Sequence, residues 1–81
     1  MTMKAITLCK LGMSVIEKVI DELKEIPQIK RVMSLTGDYD VLIEIVVDSS
    51  EELYSIFAKK IDLIEGIIDS NTHVVMRSWE K

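Results

Sequence analysis

The sequence is short of several residue types, and each shortage excludes a class of protein. It has one cysteine and one histidine among 81 residues. A single thiol forms neither an internal disulfide nor a CxxC metal site, so we interpret Cys9 as a small buried hydrophobe. The lone histidine, His73, gives no basis for a Ser/His/Asp or Cys/His catalytic set. We therefore expect no metal, no cofactor and no catalytic residue.

Aromatic residues and positive charge are scarce as well. Aromatics make up 5% of the chain and the net charge is −4. Nucleic-acid binding relies on clustered Lys and Arg, and RNA-binding sheets rely on an aromatic stacking platform. We therefore expect no direct nucleic-acid binding. The sequence shows neither a signal peptide nor an apolar run long enough to cross a bilayer, so we expect a cytoplasmic protein with no membrane partner.

Apolar residues, by contrast, are abundant for so short a chain. They make up 48% of the sequence, and the mean hydropathy is +0.23. A domain of this size buries only about 60% of the surface that its unfolded chain exposes. One small core hides this much apolar surface poorly, so we expect a single domain, residues 1–81, that associates with copies of itself.

Two helices are predicted, and each begins at a Ser-x-x-Glu capping box. The first box is Ser14-Val15-Ile16-Glu17, and Pro27 stops the helix that follows. The second box is Ser49-Ser50-Glu51-Glu52, and Gly66 is a suitable stop for its helix. In both helices apolar residues recur at the i, i+3, i+4 spacing of a buried stripe.

Four strand-like runs flank these helices, at 5–11, 29–35, 41–47 and within 67–79. The resulting order β-α-β-β-α-β predicts an α+β, ferredoxin-like fold, with a four-stranded antiparallel sheet and two helices on one face. The third run is apolar on both faces apart from Glu44. We therefore expect another subunit to cover the sheet face that lies away from the helices.

The loop between the two central strands carries most of the chemistry. It reads Thr36-Gly37-Asp38-Tyr39-Asp40. Gly37 permits the chain reversal, and strand alternation would place Asp38 and Asp40 on one side with Tyr39 on the other. Carboxylates can hold an ammonium group and turn amides a carboxylate, so the loop is a candidate pocket for a small zwitterion. The alternative is that the segment is only a turn, in which Gly and Asp are common for conformational reasons.

These features together resemble the C-terminal effector-binding domain of the Lrp/AsnC family of transcription regulators, the RAM domain. The segment Thr36-Gly37-Asp38-Tyr39-Asp40-Val41-Leu42 matches the family's T-G-x-Y-D and the apolar strand after it. Residues 64–72 are similar to the family's passage into the last strand, and the resemblance spans residues 5–79. Full-length members carry a helix-turn-helix domain before this module, so the chain resembles a stand-alone form that lacks it.

The resemblance implies an assembly and a set of site residues. RAM domains pair through their open sheet faces into dimers, and dimers join into octamers or decamers with amino-acid effectors bound between them. Carried over by position, the implied ligand-binding residues are Thr36, Gly37, Asp38, Tyr39, Asp40, Ser70 and Thr72. Asp38 or Asp40 would hold the ligand ammonium. Amides near Gly37 and the Thr72 hydroxyl would hold its carboxylate, and Tyr39 would pack on the ligand or on a neighbouring subunit.

We therefore expect a non-enzymatic, oligomeric module that senses an amino acid and acts on transcription or metabolism through partners, among them full-length Lrp/AsnC regulators. Two alternatives remain open. One is a structural oligomerisation module without a ligand. The other is an enzyme of the dimeric α+β barrel type, in which His73 and Tyr39 would serve as acid and base.

Overall fold

Four strands and two helices follow one another in the predicted order in the structure, a computed structural model that describes residues 2–81. The strands form one antiparallel sheet in the spatial order β2-β3-β1-β4, so the ferredoxin-like prediction is confirmed. The elements, in chain order, are β1 (Met3–Leu11), α1 (Ile16–Leu23), β2 (Ile29–Ser34), β3 (Val41–Val47), α2 (Ser50–Lys59), a 3₁₀ turn (Ile61–Leu63) and β4 (Ile67–Val74).

The core lies between the sheet and the two helices. Along β3 every second side chain, from Val41 to Val47, is buried against the helical layer. In α1, Val19 and Leu23 are one turn apart and fully buried, because the i, i+4 spacing brings both to the same side of the helix. The other buried apolar residues of this core are Ala5, Cys9, Ile26, Ile56, Ile61 and Ile64.

The sheet face away from the helices, which we call the open face, is uncovered in the single chain. Leu8 and Leu42 are directly opposite each other on this face and are half-buried. The molecule is only 18 Å across its shortest dimension, as expected for two layers. Its accessible surface of 5837 Å² exceeds the about 4,900 Å² typical of a compact monomer of this mass. Part of this excess comes from residues 75–81, and part from the open face.

The two capping boxes have different outcomes. The second is confirmed, because the Ser49 hydroxyl accepts a hydrogen bond from the Glu52 amide at 3.1 Å. The first is wrong: α1 begins at Ile16, Val15 precedes it, and no side chain caps it. Ser14 instead has a left-handed backbone with φ of +60°. Val15 packs against Gly66, where an added Cβ would come within 2.9 Å of a Val15 methyl carbon, so the start of the helix is fitted to the chain that enters β4.

The last strand is shorter than the segment within which it was predicted. β4 stops at Val74, whereas the apolar pattern suggested strand as far as Trp79. The Val75 amide still donates to the Lys4 carbonyl at 2.8 Å, but the residues after it form no regular element. Within residues 2–81, neither helix has the length and apolar character needed to traverse a bilayer.

Candidate functional site

Asp40 anchors the loop between β2 and β3 to the end of β1. Its amide donates to the Cys9 carbonyl at 2.9 Å, and its carbonyl accepts from the Leu35 amide at 2.8 Å. One carboxylate oxygen, Oδ2, accepts from the Leu11 amide at 2.8 Å. The other oxygen, Oδ1, has no hydrogen-bond partner among residues 2–81. The loop is therefore held by the central strand of the sheet, with part of one carboxylate still free.

The tip of the loop is exposed. Thr36, Gly37 and Asp38 all face solvent. Gly37 has φ of +99°, a left-handed conformation that glycine adopts without strain, and a Cβ there would meet nothing within 4 Å. No backbone N–H of residues 36–39 donates to another part of the described chain. The tip therefore presents free amide donors beside the carboxylate of Asp38.

Tyr39 crosses β1 and meets the last strand. Its hydroxyl accepts a hydrogen bond from the side-chain amide of Asn71. The Lys10 ammonium lies 5.7 Å from the centre of the Tyr39 ring, within the distance of a cation–π interaction. We call Lys10, Tyr39 and Asn71 the corner cluster. Because Asn71 is opposite Leu8 in the β1–β4 register, the cluster lies at one end of the open face.

Ser70 and Thr72 are on the other side of the same strand. They are opposite Cys9 and Thr7 in the register, and side chains of successive strand residues point to opposite faces. The Thr72 hydroxyl lies 2.9 Å from that of Thr7, so the two form a hydrogen bond on the helix side of the sheet. Within one chain the structure thus brings the loop to Asn71, and Ser70 and Thr72 point away from the Tyr39 ring. That these two hydroxyls and the loop share one ligand pocket stays a prediction.

A shallow cleft adjoins Ser70 at the start of β4. It has a volume of about 280 Å³, at the small end for ligand pockets. Asp62, Asp69, Ile67 and Ile68 line it together with Ser70. Its two acidic residues suit an ammonium group more than an anion.

Sequence reasoning missed Lys10 and Asn71. Lys10 is near the end of β1, which a ferredoxin-like sheet places at its centre, beside both β3 and β4. In that topology the end of β1 meets the start of β3, where the loop enters the sheet. The predicted strand order is therefore enough to place Lys10 beside the loop. The contact with Asn71 depends on the β1–β4 register, which the sequence does not specify.

The two residues with the most obvious chemistry take no part in the corner cluster. Cys9 is fully buried in the core, and this burial raises the pKa of its thiol to about 11. His73 is opposite Ile6 on the open face and is exposed. The described part of the chain has no group of three His, Cys, Asp or Glu side chains placed to hold a metal ion.

Fold and site together define a small α+β module with an exposed polar loop at one end of an uncovered apolar sheet face. The chain belongs to the Lrp/AsnC family, whose ligand-binding domain matches residues 4–81. It is therefore a ligand-binding domain of the kind found in transcription regulators.

Individual relatives agree with this assignment. The HTH-type transcriptional regulator FL11 of Pyrococcus furiosus is 33% identical over 73 residues, which cover 90% of this chain and 48% of the relative. The regulatory protein AsnC of Haemophilus influenzae is 31% identical over 62 residues, covering 76% of this chain and 41% of that protein. This chain thus spans about half the length of the curated relatives that it matches.

A solved structure supports the fold independently. The Neisseria meningitidis transcriptional regulator NMB0573, solved as a complex with L-Met, superposes with a TM-score of 0.89. The match covers 98% of this chain and 53% of that one, at 14% identity. At this identity the likeness establishes the shared fold.

Proposed function

We propose that this chain senses a free amino acid, which it binds at the 36–40 loop where copies of the chain meet. The bound state would then be passed to transcription through partners, such as full-length regulators of the same family. Membership of a ligand-binding family supports this proposal, and so does the relative of the same fold that was solved with L-Met. The regulator descriptions of the relatives support a non-enzymatic role.

The observation that carries the proposal is the contact between Tyr39 and Asn71. It joins the loop to β4 at the end of the open face, so two segments far apart in sequence form one polar corner. On one side of this corner is the exposed carboxylate of Asp38, and the free N–H groups of the loop are beside it. A zwitterion needs such an arrangement, with an acceptor for its ammonium and donors for its carboxylate.

The open face supports the proposed association between copies. Apolar side chains of β1 and β3, among them Leu8, Leu42 and Val46, are half-buried and have no second layer over them. A dimer through this face would place the corner cluster at the rim of the interface, within reach of a second copy.

Binding at such a rim couples the ligand to assembly only if the ligand has different affinities for the two assembly states. Free amino acids are abundant in cells, so a sensor needs only micromolar to millimolar dissociation constants. These correspond to binding free energies of about −8 to −4 kcal/mol. We expect the amino acid to shift the distribution between dimers and larger rings such as octamers or decamers.

The test is multi-angle light scattering and thermal unfolding of the purified chain, with and without each of the twenty amino acids at millimolar concentration. A response to one or a few of them is expected, because a ligand that binds only the folded state raises its stability. The Asp38→Ala variant should lose that response. Asp48→Ala is the matched control, since Asp48 is also exposed but follows the far end of β3.

The second candidate is a structural oligomerisation module without a ligand, which the apolar open face favours. The same measurement separates the two functions. A discrete oligomer that is indifferent to all twenty amino acids would reject the sensor and support the structural module. A stable monomer would reject both.

A further inference from the structure

We propose that Lys10 is a further binding residue of this site and that its ammonium holds the carboxylate of the ligand. This inference rests on the proposed amino-acid function and adds to it a residue and a ligand class. The ligand would be an amino acid with a free carboxylate, because a neutral amide or a decarboxylated amine leaves Lys10 without a counter-charge.

Lys10 is an exposed cation without an anionic partner. Lys4, on the same strand, lies 3.8 Å from the Glu44 carboxylate, and Lys18 lies 3.8 Å from that of Glu65. No carboxylate of residues 2–81 comes within 4.0 Å of the Lys10 ammonium. Asp69 is its cross-strand neighbour, but the Asp69 carboxylate accepts from the Ser70 amide at 2.9 Å instead. The positive charge of Lys10 is thus available to a ligand.

The Tyr39 ring fixes where that charge lies. The ammonium is 5.7 Å from the ring centre, and the ring is itself held by the bond from Asn71 to its hydroxyl. Tyr39 belongs to the loop, whose N–H groups at residues 36–39 have no partner in the described chain, so the Lys10 ammonium lies at the loop's end of the open face. An ammonium and unpaired amide donors are the groups that bind a carboxylate.

The alternative donor for the carboxylate, the Thr72 hydroxyl, is on the other face of the sheet. It lies 2.9 Å from the Thr7 hydroxyl, on the helix side. Lys10 is on the same face as Tyr39, and Asp38 is in the same loop. In the proposed binding mode the carboxylate of the zwitterion contacts Lys10, and the exposed Asp38 of the same loop is the acceptor for its ammonium.

The test compares each responding amino acid with its carboxamide in calorimetric titrations of wild-type protein, Lys10→Met and Lys10→Arg. We expect Lys10→Met to weaken binding of the amino acid about tenfold, as for loss of one hydrogen bond to a charged group, and to leave carboxamide binding unchanged. Lys10→Arg should restore most of the affinity because it keeps the cation over the ring. Lys4→Met is the control for loss of a positive charge from the same face of β1.

The outcomes separate this inference from the proposed function. If the wild-type chain binds no amino acid, both are wrong. If it binds one and Lys10→Met binds equally well, the sensor stands and the role of Lys10 is rejected. If Lys10→Met weakens amino acid and carboxamide alike, Lys10 acts by supporting Tyr39 and the carboxylate contact is rejected. Unfolding of the unliganded variants, measured in parallel, ensures that all are folded.

Discussion

Asp40 combines two possible roles in one side chain. One carboxylate oxygen holds the loop to the Leu11 amide at 2.8 Å, and the other has no partner in the described chain. Loss of a partly buried bond of this kind costs about 1–2 kcal/mol. A change in ligand binding after removal of the whole side chain would therefore mix a lost contact with a loosened loop.

Two substitutions of Asp40 separate these roles. Asp40→Ala should weaken amino-acid binding and lower the free energy of unfolding by about 1–2 kcal/mol in a urea titration, while the oligomer stays soluble. Asp40→Asn keeps an acceptor for the Leu11 amide but removes the charge, so it should weaken binding with a smaller loss of stability. Wild-type affinity in Asp40→Asn would show that the Asp40 charge does not contact the ligand.

Because of Cys9, we expect the free energy of unfolding to depend on pH above neutrality. Burial raises the pKa of its thiol from 9.0 to about 11, so the folded state keeps a proton that the unfolded chain loses. The contribution of this thiol is complete below pH 9 and is lost as the pH rises toward about 11. The free energy of unfolding of the wild type, minus that of Cys9→Ala, should fall by an amount of the order of 2 kcal/mol across this range.

The measurement is a series of urea titrations of both proteins between neutral pH and about pH 11. Using the difference between the two proteins cancels the titration of groups that they share, such as tyrosines and lysines. A difference that does not change with pH would mean that the thiol is accessible in the folded state. In that case a thiol reagent would also modify the native protein at a rate close to that of the unfolded chain.

At the scale of elements, the two helices begin by different means. α2 begins at a side-chain cap from Ser49, whereas α1 begins at Val15 without one. Ser49→Ala should therefore lower the free energy of unfolding by about 1 kcal/mol, and Ser14→Ala should leave the urea midpoint nearly unchanged. Equal losses in the two variants would mean that Ser14 caps α1 in solution.

The bounds of an element could be predicted where the local sequence of apolar and polar residues alone determines them. β3 has the predicted bounds, because its continuous apolar run and the polar residues that flank it mark both ends in the sequence. The start of α1 could not be predicted from the Ser-x-x-Glu spacing. It depends on the packing of Val15 on Gly66, a residue at the entrance to β4 and distant in sequence. The end of β4 also differs from the pattern, because apolar residues continue beyond the last strand pairing.

The same reason limits prediction of the candidate site. The 36–40 loop could be located from the sequence, because turn residues between two strand patterns mark it. Lys10 could be placed beside the loop only from the strand order, which puts the end of β1 next to the start of β3, and Asn71 could not, because it joins the loop through the β1–β4 register. Ser70 and Thr72 have their predicted place on β4, but the register turns their side chains toward the helix side. A contact between distant strands is a property of the assembled sheet.

At the scale of the whole molecule, the open face is the surface through which we expect copies of the chain to associate. Leu8 and Leu42 are opposite each other on this face, and no layer of the chain covers them. A lysine at position 8 would place a charge against the apolar side chains of the expected interface, and its desolvation would weaken association. Leu8→Lys should therefore convert the oligomer to a folded monomer at micromolar concentrations.

Light scattering gives the mass, and circular dichroism shows whether the variant keeps its fold. Leu63→Lys is the control, since Leu63 is 71% exposed in the 3₁₀ turn and belongs to the helical layer. It should leave the oligomeric mass unchanged. If Leu8→Lys also keeps the wild-type mass, the copies associate through another surface. The proposal that the corner cluster lies at the rim of the interface would then be wrong.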